Sequence, residues 1–207
     1  MENQKANPGL KGRKQLILLV AFFVTPIVLA IIMYNTMPAG GPSKTKNYGD
    51  LVVPARPLTD IALQTVTGKD FKFSDMKRTW VMIYIGKADC DKTCADILYK
   101  MRQSRLAQRG EHLRIKRLYI STSGKAKLSL TKVLKEHPGL EVVSGSTENI
   151  KAVLEQFELE NKASAKSANR LYLTDPLGNL MMSYESDFDP KGLIKDVELL
   201  LKISRIG

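Results

Sequence analysis

WVMIYIGKADCDKTC, residues 80–94, carries the reading of this chain. Trp80 to Ile85 is an unbroken apolar run, the pattern of a strand buried on both faces. Small and charged residues then interrupt it. From Ala95 to Gln108 the apolar residues Ile97, Leu98, Met101 and Leu106 recur at helical spacing, and Gly110 predicts the stop. Cys90 and Cys94 thus fall between a buried strand and a helix. Alternating strand–helix folds present ligands and catalytic groups at such junctions, at the carboxyl ends of their strands.

The chain has no other cysteine. In helical geometry an i, i+4 pair has Cα atoms about 6 Å apart, within disulfide range. The sulfurs can join, or separate and share a soft metal ion. The helix start, Lys87 and Lys92 favour thiolate, while Asp89 and Asp91 oppose it. Cys90, outside the helix, is the expected nucleophile and Cys94 the resolving thiol. An inert structural bridge is the competing reading. Closing so short a loop contributes only about 2 kcal/mol in the chain-entropy model, so active thiols are the better account.

Downstream, strands are expected at Leu113–Ser121 and Leu140–Ser144, with helices at Lys127–Glu136 and Thr147–Leu159, the latter capped by Thr147. Asp175-Pro176-Leu177-Gly178 marks a hairpin between Arg170–Thr174 and Asn179–Glu185. Pro190 opens a last helix with Leu193, Ile194, Val197, Leu200 and Leu201 on its apolar face. Upstream, Asp60–Phe73 reads as an irregular strand pair turning at Thr67-Gly68-Lys69-Asp70. The expected class is α/β, a mixed sheet between helices.

Leu16 to Tyr34 contains no charge, and a helix of that length spans roughly 28 Å, the thickness of a bilayer core. The run is longer than a signal peptide's apolar region, and Met37-Pro38-Ala39-Gly40 is a poor cleavage site, so an uncleaved anchor is expected. Lys5, Lys11, Arg13 and Lys14 precede the span, which keeps the N-terminus cytoplasmic. The expected organisation is a cytoplasmic tail at 1–15, a transmembrane anchor at 16–34, a tether at 35–49 and an exported domain at 50–207. The expected setting is the bacterial inner membrane, with that domain in the periplasm.

With 207 residues, 43% hydrophobic and 26% charged, the chain is not wholly disordered, collagen-like or polytopic. Its net charge of +11 is dispersed and lacks interleaved aromatics, so nucleic-acid binding is not expected and a solvated basic face near anionic lipid is. No phosphate-binding glycine loop or serine-nucleophile elbow is present. Glu185, Asp187 and Asp189 read as a loop that caps the next helix rather than a hard-metal site.

The N-terminal anchor, WVMIYIGKADCDKTC with its following helix, and LYLTDPLGNLMMSY at 171–184 together resemble the Sco/SenC family of cytochrome c oxidase assembly proteins. The resemblance covers most of residues 48–207 and implies a thioredoxin-like fold. It also implies copper binding by Cys90 and Cys94 with a distant histidine, and maturation of the Cu(A) centre of oxidase. The family's histidine would fall in Ser164–Arg170, where this chain has SAKSANR, without His, Cys or Met. His112 and His137 lie on other elements, and Met181 and Met182 on a strand. Unlike ordinary thioredoxins, the chain has CxxxC rather than CxxC, and no Pro before Leu171.

Three functions follow. The first is a membrane-tethered thiol–disulfide factor that keeps cysteines of the oxidase copper site, or of a copper chaperone, reduced. The second is a Cu(I) carrier using the same cysteines and a ligand from its partner. The third is an interaction subunit with incidental cysteines. The missing histidine favours the first over the second. Expected partners are membrane-bound oxidase subunits or copper chaperones.

Overall fold

The computed structural model describes residues 8–36, 46–123, 133–160, 162, 164–165, 169–204 and 206. The chain divides into two compact units, Met1–Thr45 and Lys46–Gly207. In the first, helix α1 (Pro8–Thr36) carries Pro26 inside it and is long and apolar enough over Gly12–Thr36 to cross a membrane.

The second unit is built on an eight-stranded sheet of order β1-β8-β7-β4-β5-β6-β2-β3. The strands are β1 (Asp50–Pro57), β2 (Leu63–Thr65), β3 (Asp70–Phe71), β4 (Trp80–Gly86), β5 (Ile115–Ser121), β6 (Leu140–Ser144), β7 (Leu171–Thr174) and β8 (Asn179–Tyr184). Strands β4, β5 and β6 are parallel neighbours. Strand β7 returns antiparallel to β4 and forms the Asp175–Gly178 hairpin with β8. Gly178 has φ +91°, which a residue without Cβ adopts at no steric cost. The mixed sheet between helices is the thioredoxin-like arrangement expected.

Helices α2 (Lys92–Ala107) and α4 (Pro190–Ile203) cover one face, and α3 (Thr147–Phe157) the other. Strand alternation divides β4 between two cores. Trp80, Met82 and Tyr84 pack with Ile97, Leu98, Met101, Leu193 and Val197. Val81, Ile83 and Ile85 pack with Ile150, Val153 and Phe157.

Several expectations need correction. Helix α2 begins at Lys92, three residues early, because Asp91 caps it. It ends at Ala107 in a 3-10 turn over Arg109–Arg114, and Arg109, not Gly110, takes the left-handed backbone at φ +48°. Strand β5 therefore starts at Ile115, and Leu113 is exposed. Leu106 is also exposed, its place on the inner face taken by Cys94 and Ser104. Ser146, not Thr147, caps α3, its Oγ accepting from Asn149 N at 3.1 Å. Of Lys127–Glu136, residues 133–136 are helical and 127–132 lie outside the described residues. Strand β1 was not expected. Its Pro54 and Pro57 argue against a strand, yet it pairs at the sheet's edge, where unpaired N–H positions face solvent.

Candidate functional site

Strand β4 ends at Gly86, and the chain crosses Lys87–Asp91 before entering α2. Thr122 N donates to Gly86 O at 2.8 Å and Ala88 N to Ser123 Oγ at 3.5 Å, so the end of β5 holds this crossing in place. Asp91 Oδ1 accepts from Cys94 N at 2.8 Å, and Asp91 O from Ala95 N at 2.9 Å. The first of the three residues between the cysteines, Asp91, is thus the N-cap of the helix that carries the second one.

Cys90 and Cys94 are joined in a disulfide, with Cα atoms 5.2 Å apart. Their exposure differs: Cys90 is half-buried, whereas Cys94 is 3% exposed within the α2–α4 core. An incoming thiolate therefore reaches Cys90 first. The pair opens on a cleft of about 520 Å³, lined also by Tyr84, Lys87, Asp89 and Asn169.

Two tyrosines underlie the pair. Tyr119, on β5, donates to Lys87 O and lies 3.9 Å from Cys94 Sγ. Tyr84, on β4, donates to Asn169 Oδ1 at 2.9 Å, and the two rings pack 5.4 Å apart. Burial first, then the Asp91 charge, pushes the Tyr84 phenol up to about 12. Tyr119 is pushed up by burial and by Tyr84, Asp89 and Asp91. Both therefore stay protonated at neutral pH and serve as hydrogen-bonding groups.

Asn169 lines the cleft from the segment that leads into β7. Its φ of +45° is left-handed, a conformation asparagine tolerates better than most residues. The next residue, Arg170, is 5% exposed and is held by Glu185 Oε1 at 2.6 Å, Ser183 Oγ at 3.3 Å and Asp50 Oδ2 at 3.4 Å. Neither residue stood out in the sequence except by lacking the proline of thioredoxins.

The remaining candidates lie elsewhere. His112 is in the 3-10 turn after α2, and His137 precedes Pro138; neither lines the cleft. Met182 is buried in the α2–α4 core and Met181 is half-buried against it. Asp189 caps α4 through Lys191 N, as expected of that acidic loop. Of Ser164–Arg170, residues 166–168 lie outside the described residues. Among the described residues no three His, Cys, Asp or Glu side chains group so as to hold a metal ion. Among the described residues lining the cleft, the donors that fit copper are the two sulfurs of an opened bridge.

Residues 80–204 match the family described as transmembrane-like, thioredoxin-like, C-terminal domain. The chain belongs to this family. No curated protein matches it. Among solved structures, copper-bound yeast Sco1 is 19% identical with a TM-score of 0.61, over 73% of this chain and 95% of that one. Copper-bound ScoI of Arabidopsis thaliana is 22% identical with a TM-score of 0.60, over 70% and 98%. BsSco, in which a disulfide switch was identified, belongs to the Sco family of cytochrome c oxidase assembly proteins. It is 16% identical with a TM-score of 0.58, over 75% and 99%. The thioredoxin-like unit thus has the fold of the Sco proteins.

Proposed function

We propose that this protein is a membrane-anchored thiol–disulfide factor in the assembly of the copper site of cytochrome c oxidase, acting through Cys90 and Cys94. The observation that carries the reading is the asymmetry of the pair: a half-buried Cys90 beside a cleft, and a buried Cys94 on a capped helix behind it. That arrangement suits an attacking and a resolving sulfur. The assembly role of the Sco family supports the choice of target.

In the working direction Cys90 thiolate attacks a disulfide of the partner, and one partner sulfur leaves with the bond's electron pair. Cys94 then attacks Cys90 in the mixed disulfide, restoring the Cys90–Cys94 bridge and releasing the partner as a dithiol. Two electrons have passed to the partner, and a second dithiol reopens the bridge. Partners of this chemistry are oxidase subunits or copper chaperones with paired cysteines. Helix α1 anchors the domain, with the N-terminus cytoplasmic, residues 50–207 periplasmic and 35–49 as the tether.

Alkylation trapping of the full-length protein in cells should reveal both redox forms. Cys90→Ser with Cys94→Ser should abolish formation of the oxidase copper centre. Normal oxidase in that double variant would leave only an interaction role. The copper-bound Sco structures favour a second reading, Cu(I) carriage by the reduced pair. Titrating the reduced full-length chain with Cu(I) against a chelator separates the two, because two thiolates without a third ligand should yield copper readily.

A further inference from the structure

We propose that Tyr119 is the positioning residue of the sulfur pair: in the reduced protein its phenolic oxygen accepts the S–H of Cys94 and holds the buried sulfur in place for return to Cys90. This rests on the thiol–disulfide reading above.

A phenol has one hydrogen, and that of Tyr119 already goes to Lys87 O. Its oxygen keeps acceptor capacity and lies 3.9 Å from Cys94 Sγ, within reach of a sulfur donor. In the bridged form Cys94 carries no hydrogen, so the contact is only a packing contact. Reduction of the bridge by a dithiol adds two electrons and two protons and leaves a hydrogen on each sulfur. On Cys94 that hydrogen completes a chain from Cys94 S–H through Tyr119 O–H to Lys87 O.

Burial makes this chain count. Cys94 is 3% exposed and Tyr119 fully buried, so water does not compete for the sulfur, and an unpaired polar group there is costly. Tyr119, not Tyr84, is the tyrosine whose oxygen lies within reach of Cys94 Sγ; the Tyr84 hydroxyl donates to Asn169 Oδ1. Gly86 leaves the room required: a Cβ there would lie 3.0 Å from Tyr119 Oη and 2.7 Å from the Tyr84 ring. Because the hydrogen bond exists only in the reduced form, it stabilises that form and raises the reduction potential. Tyr119 touches no partner and acts through Cys94.

Two measurements test this. Tyr119→Phe in the full-length chain should shift the equilibrium with glutathione about threefold toward the disulfide, equivalent to about 14 mV for a two-electron couple. Tyr172→Phe, which removes a buried hydroxyl on the opposite face of the sheet, should leave the equilibrium unchanged. In Cys90→Ser, which has a single thiol, the infrared S–H stretch of Cys94 should lie at lower frequency than in Cys90→Ser with Tyr119→Phe. That second measurement needs no reducible bridge. A bridge that no dithiol opens would overturn the thiol–disulfide reading and this inference with it. An unshifted potential in Tyr119→Phe, or an S–H band that ignores the tyrosine, would overturn the inference alone and return Tyr119 to pinning Lys87.

Discussion

Arg117, two residues before Tyr119 on β5, and His137 are both buried, with exposures of 2% and 7%. Arg117 Nη2 donates to Pro138 O at 2.6 Å, but among the described residues Nε and Nη1 have no partner, nor does His137 Nδ1. Burial, then Arg105 and Arg102, brings the Arg117 guanidinium down to about 10. The same burial, followed by Arg117 and Arg102, lowers His137 below its ordinary 6.5, against a weak opposing effect of Glu136. The native state therefore resists a proton that the unfolded chain accepts. Stability from neutral His137 is complete above about pH 6.5 and is lost as pH falls below it. The expected outcome is a steeper loss of urea resistance between pH 7.5 and about 5 in the unaltered chain than in His137→Gln. The emission of Trp80, the single tryptophan, reports the transition. Equal slopes would mean that His137 is solvated.

At the scale of elements, α4 holds the entry of the domain. Asp196, 4% exposed, accepts from Tyr48 N at 2.9 Å, Gly49 N at 3.0 Å and Tyr184 Oη at 3.0 Å. One carboxylate thus joins the segment before β1, strand β8 and the last helix. Asp196→Asn replaces one acceptor oxygen with a donor and removes the charge, so a loss of about 2–4 kcal/mol is expected in urea unfolding. A loss below about 1 kcal/mol would show that water replaces the carboxylate, at the scale of an ordinary hydrogen bond. None of this was legible beforehand, because Asp196 sits in a helical pattern as an ordinary polar residue. Strand β4, the β7–β8 hairpin and α4 were legible, since each has its own period or turn chemistry. Strand β1 was not: its pairing comes from the neighbouring β8, not from local propensity. The cysteine pair was plain from spacing and junction. Tyr84, Tyr119 and Asn169 were not, because their roles depend on three strands meeting beneath the pair.

For the whole molecule, the basic residues ahead of the apolar span at Leu16–Tyr34 set the proposed orientation. Alkaline phosphatase fused after Gly49 should be active, and protease added to spheroplasts should remove the domain. An inactive fusion together with a protected domain would reverse the topology and leave the cysteines in a reducing compartment. The fold also shapes how copies meet. A sheet ends in two open borders, each a template on which another chain can pair. Here one border is β1, whose Pro54 and Pro57 lack an N–H, and the other is β3, only two residues long. Proteins confined to one membrane collide in two dimensions at high local density. Copies of this chain therefore meet without presenting one another a long, unbroken strand border along which to pair.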